Sequence, residues 1–143
     1  MLRFLFPFLL CLNALAAAKR PNVIFIVTDD QLYKTLGCYS GKALTPNIDS
    51  LAEKGVRFTN AHTASTVCSP ARYAILSGRH PANCTEPHFL KRMPPGKAMR
   101  IENFVSLEKD RLNIANLMQN NGYATGFVGK SHIAEHFAAG GTS

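Results

Sequence analysis

Acidic residues are scarce in this 143-residue chain. Nine Asp and Glu stand against sixteen Lys and Arg, for a formal charge of +7. That balance excludes an acidic surface and favours anionic partners: sulfate esters, acidic polysaccharides, nucleic acid or anionic lipid. The basic residues are scattered, with one modest cluster at Lys91, Arg92, Lys97 and Arg100, set among Pro87, Pro94, Pro95 and Gly96. The cluster has no interleaved aromatics on which bases could stack, which argues against nucleic acid and for a solvated basic loop. Long apolar runs are equally rare. Only residues 4–15 qualify, and they are interrupted by Pro7 and Asn13 and fall short of the roughly 20 residues a membrane span needs. Repeats and low-complexity tracts are absent, and the length is that of one domain.

The short apolar run has another reading. Met1-Leu2-Arg3 supplies a positive start, and Ala16-Ala17-Ala18 puts small residues at the −3 and −1 positions of a cleavage site. Residues 1–18 are therefore predicted to be a secretory signal peptide and residues 19–143 the mature chain. The expected location is extracytoplasmic: secreted, periplasmic or lysosomal, with no membrane attachment after cleavage. Cysteine is sparse too. Cys11 leaves with the signal, so Cys38, Cys68 and Cys84 remain. Three thiols in an oxidising compartment leave at least one without an intramolecular partner. A Cys38–Cys84 bridge with Cys68 chemically modified satisfies this, and so does a bridge from Cys68 to either neighbour.

Residues 22–28 (NVIFIVT) form a continuous apolar, β-branched run, the pattern of a strand buried on both faces of a parallel sheet. Thr45-Pro46 reads as a helix cap with proline at the first helical position; Ile48, Leu51 and Ala52 recur at helical spacing, and Gly55 ends the helix. Residues 56–61 (VRFTNA) read as a second strand. Ser69-Pro70 predicts a cap and first position for a helix through about Leu76, after which residues 79–103 lack periodicity. Ile114, Leu117 and Met118 predict a further helix stopped by Asn121-Gly122, and residues 123–128 (YATGFV) a third strand. Alternating strands and helices predict an α/β fold with a mainly parallel sheet, whose ligands gather at the carboxyl ends of strands.

Chemistry-bearing residues fall at those ends. Asp29 and Asp30 follow the first predicted strand directly, and adjacent carboxylates at a sheet mouth invite a hard cation such as calcium or magnesium; a strand-ending turn is the plainer alternative. Cys68 stands just before the predicted helix start, where backbone N–H groups would face an oxyanion. Arg72, one turn in, can return a planar fork of donors to the same place. Lys130 and His132 follow the third predicted strand; a turn would bring a sulfate-neutralising ammonium and a proton-moving imidazole to one ligand. His132 and His136 also have zinc-ligand spacing, but no Glu follows His132 as in HExxH and no further ligand set exists, which argues against zinc.

Four segments, in order, resemble the N-terminal part of the formylglycine-dependent sulfatases of the alkaline-phosphatase-like superfamily. They are PNVIFIVTDDQ, TPNIDSLAEKGVRFTNAH, CSPARYAILSGR and NIANLMQNNGYATGFVGKSH, with Ser131 where the family often has tryptophan. The resemblance runs from Pro21 to about His132. It implies that Cys68 is oxidised to formylglycine by a maturation enzyme and, with Asp29 and Asp30, binds calcium. It further implies that Arg72 steadies the modified residue, Lys130 bridges it and the sulfate, and His132 holds its second hydroxyl. The expected substrate is a sulfated small molecule or polysaccharide. Such sulfatases are several times longer and take further ligands from later segments, so the chain reads as an incomplete catalytic domain with low turnover by itself. A phosphate or phosphonate ester hydrolase of the same superfamily and a non-catalytic anion-binding remnant are the alternatives.

Overall fold

The computed structural model describes residues 20–96 and 105–133. The predicted signal peptide, Lys97, Arg100 and His136 lie outside the described residues. The chain divides into two compact units, Met1–Asp30 and Gln31–Ser143.

In the first unit the described residues 20–30 form no helix or strand. The apolar run is there but unburied: Ile24 is 84% and Ile26 77% exposed. In the second unit, residues 56–61 and 123–128 are likewise not strands, and Val128 is 99% exposed. The parallel sheet predicted from the sequence is therefore not formed among the described residues. The reason is physical: a strand's backbone groups are satisfied only by a neighbouring strand, and none of these runs pairs with another.

The regular structure of the second unit is helical. Helix α1 (Gly37–Ser40) follows a 3-10 turn at Tyr33–Thr35; α2 spans Pro46–Lys54, α3 Cys68–Ser77, α4 Pro87–Arg92 and α5 Ile114–Asn120, with a second 3-10 turn at Pro81–Asn83. Helix α2 begins at Pro46, whose fixed φ suits the first position, and ends at Gly55 as predicted. Thr45 does not cap it, however. Its hydroxyl accepts from the Gly37 N–H (2.8 Å) and donates to Asp49 Oδ1 (2.9 Å), which also accepts from the Cys38 N–H (2.7 Å). Helix α2 thus satisfies the open start of α1. Gly37 is required there, since a Cβ would lie 2.4 Å from Asp49 Oδ2. Helix α5 is capped by Asn113, whose side chain accepts from the Asn116 N–H (3.0 Å).

The core is small: Tyr73, Cys84, Phe89, Val105, Leu107 and Ile133, with Leu76, Leu90 and Met93 packed against it. The aperiodic stretch 79–103 supplies part of it. Helix α4 is capped by Glu86, which accepts from the Phe89 N–H (2.9 Å), and it buries Phe89. Lys91 and Arg92 occupy its last turn, where cations complement the helix dipole. The predicted basic loop is therefore in part a helix, because a cap and one buried aromatic suffice where no repeating pattern exists.

One carboxylate ties the core's polar edge together. Tyr73, fully buried, donates its hydroxyl to both Glu108 oxygens (3.0 and 3.2 Å), and Arg79 Nη2 reaches Oε2 at 2.8 Å. The Thr85 N–H (2.8 Å) and hydroxyl (3.3 Å) donate to Oε1. Burial alone would raise the Glu108 carboxyl, but the Thr85 and Glu108 backbone N–H groups, Arg79 and Tyr73 hold it down to about 2. Burial pushes the Tyr73 phenol up to about 12. Because the folded value of Glu108 lies below its ordinary 4.5, its stabilisation is fully present above that pH and is lost as pH falls toward 2. We expect Glu108→Gln to cost about 2–3 kcal/mol at neutral pH and to flatten the loss of stability between pH 4.5 and 2, read from urea unfolding at several pH values.

Candidate active site

Helix α3 positions the candidate nucleophile. Its N-cap is Val67, and Cys68 is the first helical residue, two positions earlier than the Ser69-Pro70 pair predicts. No acidic residue occupies its first turn, which leaves the positive end of the helix dipole uncompensated by a carboxylate there. Ser69 is not a cap. It is fully buried, and its hydroxyl donates to the carbonyl of His132 at 2.6 Å, across 63 residues of sequence. One turn further on, Arg72 Nη1 donates to the carbonyl of Lys130, also at 2.6 Å.

These two donors grip the turn that carries Lys130 and His132. Lys130 Nζ thereby lies 3.9 Å from Cys68 Sγ. The turn itself is unusual: Gly129 has φ 102° and His132 φ 49°, the left-handed region that a residue with a Cβ adopts rarely. Such a backbone persists only where its surroundings fix it. Here Ile133, buried in the core, anchors the turn from its far side. Of the residues singled out in the sequence, Cys68, Arg72, Lys130 and His132 are brought together, His132 through its backbone carbonyl. Ser69 and Ile133 were not anticipated. Neither has a local signal, because each acts on a residue distant in sequence.

Asp29 and Asp30 close the first unit, both exposed, with Asp30 at φ 54°. Among the described residues no group of three or more His, Cys, Asp or Glu gathers to hold a metal ion. In kind, the two carboxylates suit calcium; in number they fall short of the six to eight oxygens it takes. The donor set among the described residues is thus incomplete. For the cysteines the sequence left the pairing open. Cys38, Cys68 and Cys84 are all unbridged thiols. Cys84 is buried and donates to the Ser106 carbonyl at 3.4 Å.

Two cationic residues, Arg72 and Lys130, thus meet near the start of α3, the first through the Lys130 carbonyl and the second through Cys68 Sγ. Residues 21–140 match the family model Sulfatase. This chain belongs to the sulfatase family. It is 40% identical over 119 residues to the uncharacterized sulfatase YidJ of Escherichia coli K12, covering 82% of this chain and 21% of that protein. It is 37% identical over 136 residues to human arylsulfatase D, covering 92% and 22%. With human steryl-sulfatase the identity is 36% over 118 residues, covering 82% and 20%. The chain spans about a fifth of the length of these relatives.

The thiol environments generate a prediction. Under native conditions iodoacetamide should label Cys38 and Cys68, both half-buried, while Cys84 stays protected until denaturant is added. Peptide mass spectrometry resolves the three sites, and native labelling of Cys84 at the rate of Cys38 would contradict the burial described.

Proposed function

We propose that this chain carries the nucleophile side of a sulfuric ester hydrolase, with Cys68 matured to formylglycine. The observation that carries the reading is the approach of Lys130 Nζ to Cys68 Sγ at 3.9 Å, on a turn held by Ser69 and Arg72, in a member of the sulfatase family. Formylglycine at position 68, as its hydrate, would supply the hydroxyl that attacks sulfur. Lys130 places positive charge where sulfate oxygens must sit, a contribution that grows as charge develops in the transition state. Arg72 fixes the turn that presents Lys130. His132, two residues on, is the group suited to holding or moving a proton at the hydroxyl of residue 68.

Asp29, Asp30 and the oxidised residue 68 are the donors this chain offers to calcium, or to magnesium; the remaining ligands would come from a longer protein. The same longer protein would supply neighbours for residues 22–28, 56–61 and 123–128, completing the α/β sheet of the alkaline-phosphatase-like fold. Substrates would be sulfated small molecules or sulfated polysaccharides, in keeping with relatives named for a steryl and for an N-acetylgalactosamine sulfate. The partner is a formylglycine-generating maturation enzyme, met on an extracytoplasmic route.

Two measurements test this. Co-expression with a maturation enzyme should yield a residue-68 peptide about 18 Da lighter than the thiol form. In a version extended to the length of the relatives, Cys68→Ala should lower aryl sulfate turnover by at least about a thousandfold. An unmodified Cys68 after co-expression would leave only an anion-binding remnant, and faster turnover of the matched aryl phosphate would favour a phosphate ester hydrolase.

A further inference from the structure

The sequence offers Ser69 only as a helix cap, which it is not, yet it is among the most completely buried polar side chains described, 0% exposed. A buried hydroxyl must find a partner or lose the solvation it had in water. Ser69 finds the carbonyl of His132 at 2.6 Å, a short contact between two segments that share no element of regular structure. The carbonyl belongs to the residue whose backbone is left-handed, at φ 49°. The hydroxyl is therefore applied at the strained point of the turn.

We propose that Ser69 is a positioning residue: its buried hydroxyl holds the Lys130–His132 turn in register so that Lys130 stays against residue 68. The inference rests on the reading that residue 68 is the reactive centre and Lys130 its partner. Three anchors fix the turn, and they are not equivalent. Ile133 sets its depth through the core, and Arg72 holds the Lys130 carbonyl from an exposed position that water can enter. Ser69 lies where water does not enter, at the end of the turn opposite Gly129, whose φ is 102°. Without the hydroxyl the His132 carbonyl turns to solvent, the left-handed backbone relaxes, and the Lys130 side chain loses its fixed origin.

The test uses the full 143-residue chain with Cys68 as the thiol, so it needs no sulfatase turnover and no maturation. N-succinimidyl iodoacetate, a short thiol-to-amine cross-linker, joins Cys68 to Lys130, and peptide mass spectrometry measures the linked fraction. Ser69→Ala should lower that fraction by at least about threefold. Iodoacetamide labelling of Cys38 in the same sample should not change, which separates a local shift from general loosening. Ser69→Thr, which keeps the donor, should restore the linkage. An alanine variant that links as the parent does would overturn the proposal, as would a fall in linkage matched by increased Cys38 labelling. Retained cross-linking behaviour alongside an unmodified Cys68 in the co-expression experiment would sink the sulfatase reading while leaving this one intact.

Discussion

The Glu108 carboxylate is where the second unit is tied together. Groups from three separate stretches converge on it: the phenol and guanidinium of α3 and its C-terminal flank, the amide and hydroxyl of Thr85, and its own backbone. A buried anion so surrounded is costly to leave half satisfied, so the stretches that satisfy it are fixed together or not at all. Tyr73 is the member that matters for chemistry. It lies one residue after Arg72 and five after Cys68, so docking its ring docks the front of α3. The placement of Cys68 thus depends on a polar contact made five residues further along the helix.

From that fixed helix the candidate site is assembled largely through main-chain handles. Ser69 and Arg72 do not touch the Lys130 or His132 side chains in the contacts that define the site; they take hold of carbonyl oxygens. Gripping a turn by its backbone leaves Lys130 Nζ to reach Cys68 Sγ. It also makes an arginine serve architecture with at least one of its donors, beyond simple charge neutralisation.

The sequence made some of this legible. Helices α2, α3 and α5 announce themselves by proline in the first turn or a polar cap, by apolar residues at helical spacing, and by Gly55, Gly78 and Gly122 at their ends. Helices α1 and α4 do not, because four and six residues cannot display a period, and α1 takes its cap from side chains on α2. The residues of the three predicted strands have strand chemistry, but periodicity expresses a preference whereas a ladder needs a second strand. Cys68, Arg72, Lys130 and His132 were singled out because their types announce chemistry. Ser69 and Glu108 did not stand out, since their roles lie in pairings 23 to 63 residues apart, nor did Ile133, whose role lies in the core.

The bare run at residues 22–28 has a consequence for solubility. Seven uncharged residues rich in β-branched and aromatic side chains, without proline or glycine, are the signature of a segment that stacks with copies of itself. Arg20-Pro21 on one side and Asp29-Asp30 on the other bracket it with charge and a ring that cannot donate to a ladder, the arrangement of gatekeepers against aggregation. The two aspartates thus carry a second duty independent of any cation. Neutralising them removes a colloidal safeguard, so in any test of the proposed metal role protein lost to precipitation must be told apart from affinity lost for metal.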